Sequence, residues 1–206
     1  MTPERSFPIK LHIGSGSSAI PGWINIDRDA YPGVNRVLDV RDAFPFEDVQ
    51  YIFAEHFVEH LKLDEALTFF GKCREALRDD GVLRISTPNL DWIWLTHYRS
   101  PERMSHDDAT VACLEINRAF HGWGHRFLYN RETITRALRA AGFGTIENAA
   151  YGMSRHEQLR GLERHERGAD TEDHSHVLIV EACDRIAPEI EFISQAKTYI
   201  TDSNLD

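Results

Sequence analysis

Residues 9–27, Ile9-Lys10-Leu11-His12-Ile13-Gly14-Ser15-Gly16-Ser17-Ser18-Ala19-Ile20-Pro21-Gly22-Trp23-Ile24-Asn25-Ile26-Asp27, hold two strand-like runs with a glycine turn and little else between them. The first run reads as a buried strand that ends directly in Gly14-Ser15-Gly16, where glycines permit a tight turn and close approach of a ligand to the backbone. In a dinucleotide-binding domain that turn opens a helix of two or three turns whose N-terminal amides hold a pyrophosphate. Only residues 17–20 separate Gly16 from Pro21-Gly22, about one helical turn. A pyrophosphate cofactor is therefore disfavoured. A nucleoside cofactor without phosphates needs only the close-approach turn and a carboxylate at the end of the second strand to accept from its ribose hydroxyls, and Asp27 stands there. Asp27 follows Gly14 by 13 residues, short of the roughly 20 of the nicotinamide fingerprint, in keeping with the missing helix.

Working outward, further strand-like runs cover residues 36–40, 49–54 and 82–86, with a helix over 64–77 between the last two. Leu67, Phe70, Cys73, Arg74 and Leu77 mark its inner face and Gly81 the turn after it. A second helix follows Asn130 as N-cap, with Ile134, Ala137, Leu138 and Ala141 on one face and Gly142 as its left-handed stop. Two more β-like runs, 144–150 and 176–183, are joined by a long polar stretch, which predicts an antiparallel last pair. The pattern implies a three-layer α/β domain with a mostly parallel central sheet, whose ligands gather at its carboxyl edge. There the run ending Val37-Leu38-Asp39-Val40 adds a carboxylate able to accept from an exocyclic amine such as that of adenine, with Asp42 as the alternative. One domain, 1–184, is expected, with 88–129 as an inserted substrate-side segment. The tail, 185–206, has helical spacing and reads as a docked terminal helix or, as the alternative, a homodimer contact.

Composition excludes several classes. The chain has 206 residues, 42% of them hydrophobic, and a formal charge of −10, so a phosphate backbone is repelled and nucleic acid is not an expected partner. The apolar runs are far shorter than the roughly 20 residues a membrane-spanning helix needs, so no membrane partner is expected. The first ten residues lack the apolar core of a signal peptide, which predicts a cytoplasmic chain. Cys73, Cys113 and Cys183 are odd in number and widely spaced, fitting neither a disulfide framework nor a Cys-x-x-Cys site.

The segments Leu11-His12-Ile13-Gly14-Ser15-Gly16, Gly22-Trp23-Ile24-Asn25-Ile26-Asp27, Phe44-Pro45-Phe46, Glu55-His56-Phe57-Val58-Glu59-His60-Leu61 and Leu77-Arg78-Asp79-Asp80-Gly81-Val82-Leu83-Arg84-Ile85 resemble, in order and spacing, class I S-adenosylmethionine-dependent methyltransferases of the small type-11-like subgroup. His121-Gly122-Trp123-Gly124-His125 and Leu159-Arg160-Gly161-Leu162-Glu163 look like later motifs of that subgroup. The resemblance implies a Rossmann-like, seven-stranded methyltransferase sheet with an antiparallel last strand, and S-adenosyl-L-methionine as cofactor. By it, Gly14, Ser15 and Gly16 line the methionine moiety, Asp27 the ribose, Asp39 with Val40 the adenine, and Glu55 the region beside the sulfonium. The subgroup is often associated with surface-polysaccharide assembly, which implies a small-molecule or sugar/glycan hydroxyl as methyl acceptor. Two positions depart from the family: Ser15 stands where Cys is frequent, and Asp79-Asp80-Gly81 replaces Pro-Gly-Gly. Both turns are expected to survive.

Transfer of a methyl group to a hydroxyl needs an aligned acceptor and a group to take its proton. Histidine suits the second role near neutral pH. The candidates are His121 first, then His125 and His56, with His97 in the inserted segment. Trp92, Trp94, Tyr98 and Trp123 are able to stack on a sugar or to pack the insert onto the scaffold. Arg155, Arg160, Arg164 and Arg167 form either a phosphate clamp or a solvated charged loop. His56-Phe57-Val58-Glu59-His60 also matches H-x-x-E-H, in which two His one helical turn apart hold zinc and Glu is the base. A zinc hydrolase through His56, Glu59 and His60 is therefore one alternative, although no third ligand is evident and no metal is expected. A catalytically silent cofactor-binding assembly module is another.

Overall fold

The computed structural model describes residues 8–97, 105–165, 170–171 and 174–200. Residues 1–7, Tyr98, Glu166, Arg167 and the last six residues lie outside them. Alternating strand and helix signals become a seven-stranded sheet: β1 Ile9–Ile13, β2 Ile24–Asp27, β3 Arg36–Val37, β4 Val49–Glu55, β5 Leu77–Pro88, β6 Phe143–Asn148 and β7 Val177–Arg185, in the order β3-β2-β1-β4-β5-β7-β6. The first five strands pair in parallel, and β7 runs antiparallel to both β5 and β6. The helices are α1 Leu63–Ala76, α2 Leu90–His97, α3 His106–His121, α4 Arg131–Ala140 and α5 Ile190–Ile200. No helix of the described residues is long and apolar enough to cross a membrane.

Alternation along the strands sends Ile52 and Ala54 of β4 to one face of the sheet and Tyr51 and Phe53 to the other. Leu11, Ile13, Ile52, Phe69, Phe70, Ile134 and Leu138 form the larger core with α1 and α4. On α1 the buried stripe contains Ala66 and Phe69, and Leu67 is only half-buried. Asn130 caps α4 by accepting from the Thr133 amide at 2.9 Å, and Gly142 follows with φ of 93°. The Ile186 amide donates to Gly142 O at 2.9 Å, Arg139 pairs with Glu189 at 3.4 Å, and Arg136 lies over the Phe192 ring, which seats α5 beside α4.

The opposite face is covered by irregular chain. Ile20, Trp23 and Leu159 close over Phe53 and Val82. Between β1 and β2 there is no helix. Asn25, 4% exposed, organises this short connection: its Oδ1 accepts from the Ile20 amide at 2.7 Å, and its Nδ2 donates to Ile20 O at 3.1 Å and Trp23 O at 3.2 Å. Asp79-Asp80-Gly81 does not form a separate turn before β5. Pairing jumps from Val49–Leu77 to Tyr51–Val82, so residues 78–81 bulge out of the strand. A Cβ at Gly81 would lie 2.9 Å from Val49 O, which explains why glycine is kept there. The run at 36–40 contributes only two strand residues, both exposed, because Asp39-Val40-Arg41 turns away.

His12 Nδ1 lies 3.1 Å from the same Asn25 Oδ1. An amide oxygen only accepts, so the proton sits on Nδ1. Burial lowers the His12 pKa below its ordinary 6.5. The unfolded chain then binds a proton at a higher pH than the folded chain, and stability rises with pH between the two values. This contribution is expected to be full above 6.5 and to be lost as pH falls through the folded value. Denaturant midpoints of the parent and His12→Gln across that range test it: the parent is expected to have the steeper acid-side loss, and identical slopes would contradict the assignment.

Candidate functional site

At the carboxyl ends of β1, β2 and β4 a cleft of about 930 Å³ opens, lined by Gly14, Gly16, Asp27, Leu38, Asp39, Val40, His56, Phe57, His121, Trp123 and His125, among others. Gly14 has φ of +65°, and a Cβ there would lie 2.5 Å from Phe57 Cδ2, so backbone and aromatic ring meet where a side chain would not fit. Gly16 has φ of +48° with open space where its Cβ would be. Its amide donates to Asp27 Oδ2 at 2.8 Å, and the Asp29 amide donates to Oδ1 at 3.0 Å. The Asp27 carboxylate is thus held in place by two backbone amides and keeps further acceptor positions on each oxygen.

Asp39 is gripped by Arg41, whose Nη2 lies 2.6 Å from Oδ2 and whose amide donates to Oδ1 at 3.0 Å. The Arg41 guanidinium holds the Asp39 carboxyl below the usual carboxylate range. Val40 is buried beside it, its carbonyl accepting from Lys72 Nζ at 3.0 Å. These bonds tie down that wall of the cleft, where Leu38 and Val40 are the apolar residues.

The structure brings Gly14, Gly16, Asp27, Asp39, Val40, His56, His121 and His125 round one cleft. Ser15 and Glu55 stand behind it. The Ser15 amide donates to Ile26 O at 3.0 Å and its side chain is buried. Glu55 Oε1 accepts from the Arg164 amide at 2.8 Å and the His165 amide at 3.1 Å, fastening that segment to the end of β4. Asp42 only continues the Asp39 turn, its amide donating to Asp39 O.

His121 ends α3 and is exposed. His125 follows the Gly122–Gly124 turn and its Nδ1 lies 2.7 Å from Ala119 O. Between them Trp123, 65% exposed, has φ of 55° and lies under the Arg118 guanidinium at 4.6 Å. Trp92 packs edge-on to His176 at 4.4 Å and to His97 at 5.6 Å, so it joins the insert to the strand end. Among the described residues, Arg155, Arg160 and Arg164 do not form a clamp in the cleft. Arg160 donates to Ser154 O, Arg155 pairs with Glu147, and Arg164 donates to Ser18 O and Ala19 O behind the glycine turn.

The helical reading of His56-Phe57-Val58-Glu59-His60 is corrected. His56 has φ of 46° and the following residues form only a 3-10 turn, Val58–His60. His56 and His60 therefore do not share an α-helical face, and the two-His chelate of that zinc motif is not built. His56 Nδ1 instead lies 3.0 Å from Glu59 Oε1.

Phe57 is not legible as a site feature, because its approach to Gly14 joins separate segments, and Arg41, only two residues from Asp39, carries no signal that sets it apart from any other charged turn residue. The Asp27–Asp29 amide contact had a signal, an Asx turn two residues on.

No family model matches the chain, and a search of curated proteins finds no match. Solved structures share its fold. A possible exported protein from Bordetella parapertussis has a TM-score of 0.53 at 14% identity, over 87% of this chain and 63% of that one. The S-adenosylmethionine-dependent methyltransferase SibL in its apo form has a TM-score of 0.53 at 11% identity, over 87% of this chain and 51% of SibL. DhpI in complex with SAH has a TM-score of 0.51 at 14% identity, over 87% of this chain and 78% of DhpI. The chain thus spans less than two-thirds of the length of the first two. At these identities the likeness is one of fold: a Rossmann-like, mostly parallel seven-stranded sheet shared with methyltransferases.

Proposed function

We propose that the chain is an S-adenosyl-L-methionine-dependent methyltransferase that methylates a hydroxyl of a small molecule, sugar or glycan. The observation that carries this is the clipped connection between β1 and β2. Asp27, tethered to the Gly16 amide at 2.8 Å, faces a cleft whose glycine turn opens no helix for a pyrophosphate. The donor set fits an adenosyl group: a carboxylate for ribose hydroxyls, Leu38 and Val40 as apolar walls, and Asp39 for an exocyclic amine. Support comes also from the fold shared with proteins described as methyltransferases or as SAH complexes and from the type-11-like motifs.

When bound, the cofactor supplies a methyl group on a sulfonium, an electrophile that needs no metal. The chain's own residues do the rest. Gly14 and Gly16 admit the donor close to the backbone, and Asp27 fixes its ribose. Trp123 offers a ring face at the cleft rim on which a sugar stacks. His121 takes the acceptor proton, with His125 and His56 as the other imidazoles in the cleft.

His121→Ala is expected to lower turnover by about 10²–10⁴-fold, the usual worth of a general base, with cofactor affinity unchanged. An unaltered rate would remove His121 from the mechanism. The reading as a whole is tested by incubating the protein with methyl-labelled donor and a panel of glycan, lipid and small-molecule acceptors. Label transfer to a hydroxyl is expected. Donor binding without transfer to any acceptor would favour the alternative of a silent assembly module.

A further inference from the structure

Two histidine motifs that lie far apart in sequence meet at the cleft. Glu59 and His60 come from the 3-10 turn after β4, and His125 from the turn after α3. Glu59 O accepts from the Arg126 amide at 2.7 Å and the Phe127 amide at 3.2 Å, stitching the two segments together. One ligand atom from each of Glu59, His60 and His125 lies within 4.8 Å of the other two. We propose that these three residues form a binding site for a first-row divalent transition-metal ion, zinc being the type case.

Three observations point to a ligand there. Ala119 O can only accept, so the 2.7 Å contact places the His125 proton on Nδ1 and leaves the Nε2 lone pair free. A backbone carbonyl orienting the far ring nitrogen in this way is the usual support of a metal-binding histidine. The Glu59 side chain is fully buried and its Oε1 makes no hydrogen bond; His56 Nδ1 lies 3.0 Å from it, an ion pair only when that imidazole is protonated. Its Oε2 accepts from Thr87 Oγ1 at 3.0 Å, which fixes the carboxylate plane. A buried carboxylate oxygen without a hydrogen bond is costly, and a cation would satisfy it.

Two imidazoles and one carboxylate suit zinc and its neighbours better than magnesium or calcium, which favour oxygen ligands. Tetrahedral zinc with bonds of 2.0–2.1 Å needs ligand atoms about 3.4 Å apart, so small side-chain rotations close the site. His60 and His125 both line the cleft, so the remaining coordination positions would face it. His125 would then be a ligand rather than a proton acceptor.

The site lies in the same cleft but does not depend on the methyltransferase reading, and its test uses the metal alone. Chelator-stripped full chain is titrated with Zn²⁺ by calorimetry and with Co²⁺ by visible absorption. One equivalent per chain is expected, with the d–d bands of a mixed nitrogen–oxygen site. His60→Ala and His125→Ala are each expected to weaken binding by at least about 100-fold, the upper end of what losing even an outer-shell partner costs. His106→Ala, a surface control at the start of α3, is expected to leave affinity unaltered. His60 is exposed, so its variant removes no core packing and decides the matter even if His125→Ala misfolds. Absence of saturable binding by the parent, or binding that His60→Ala leaves unchanged, would overturn the site.

Discussion

Asp27→Ala is expected to weaken binding of S-adenosylhomocysteine by about 100-fold or more, since each hydrogen bond to a charged group is worth about 1.5–3 kcal/mol and a ribose diol makes two. The loss has a second source. Asp27 also accepts from the Gly16 and Asp29 amides at 2.8 and 3.0 Å, so the variant frees the glycine turn as well as removing the ribose acceptor. Asp27→Asn retains one acceptor oxygen but places an amide donor opposite one of the two backbone amides, and an intermediate affinity is expected. Titration calorimetry on the three proteins measures this. Equal affinity in parent and Asp27→Ala would remove Asp27 from the cofactor site.

The second large effect is on stability. Arg84, fully buried in the middle of β5, has Nε 2.6 Å from Glu163 Oε1 and Nη1 2.5 Å from Glu181 Oε1, and it donates to Met153 O at 3.0 Å. Glu163 Oε2 in turn accepts from the Gly152 amide at 3.1 Å. One guanidinium therefore fastens the irregular layer to the sheet. Arg84→Met leaves two carboxylates buried without their cation, and a loss of about 3–5 kcal/mol is expected. For a chain of this size that is on the order of 10 °C in Tm. Replacing all three residues by apolar side chains is expected to restore most of the loss, because the desolvation penalty disappears with the charges. Thermal and denaturant unfolding followed by circular dichroism decide it, and an Arg84→Met variant as stable as the parent would contradict the argument. The layer also carries Arg164, which donates to Ser18 O and Ala19 O behind the glycine turn, so cofactor affinity is expected to fall with it.

What could be read in advance was local. A strand followed by Gly14 and Gly16, a carboxylate at the next strand end, Asn130 as a cap and Gly142 as a stop each depend on a few neighbouring residues, and the structure has them. What could not be read depends on where a side chain turns, on local backbone geometry or on distant contacts. Asn25 looked like an alternating strand residue, but its amide clamps the connection that replaces a helix. Arg84 looked like one more strand residue, yet its partners lie 79 and 97 positions away. The described residues of 88–129 include the helices α2 and α3; α3 buries no side chain fully, and its half-buried stripe of Ala109, Ala112, Ile116 and Ala119 is made mostly of small residues, a faint signal in sequence. His56-Phe57-Val58-Glu59-His60 has helical spacing, but the left-handed backbone at His56 breaks the register. Only the folded chain brings His125 beside Glu59 and His60.

The central claim is that a turn without a helix, backed by Asp27, takes an adenosyl group and not a dinucleotide. Calorimetric titration of the parent protein with S-adenosylhomocysteine, and separately with a nicotinamide dinucleotide, tests it most directly. The expected result is saturable one-to-one binding of the first and no heat of binding from the second. Binding of the dinucleotide with no response to the adenosyl compound would contradict the account.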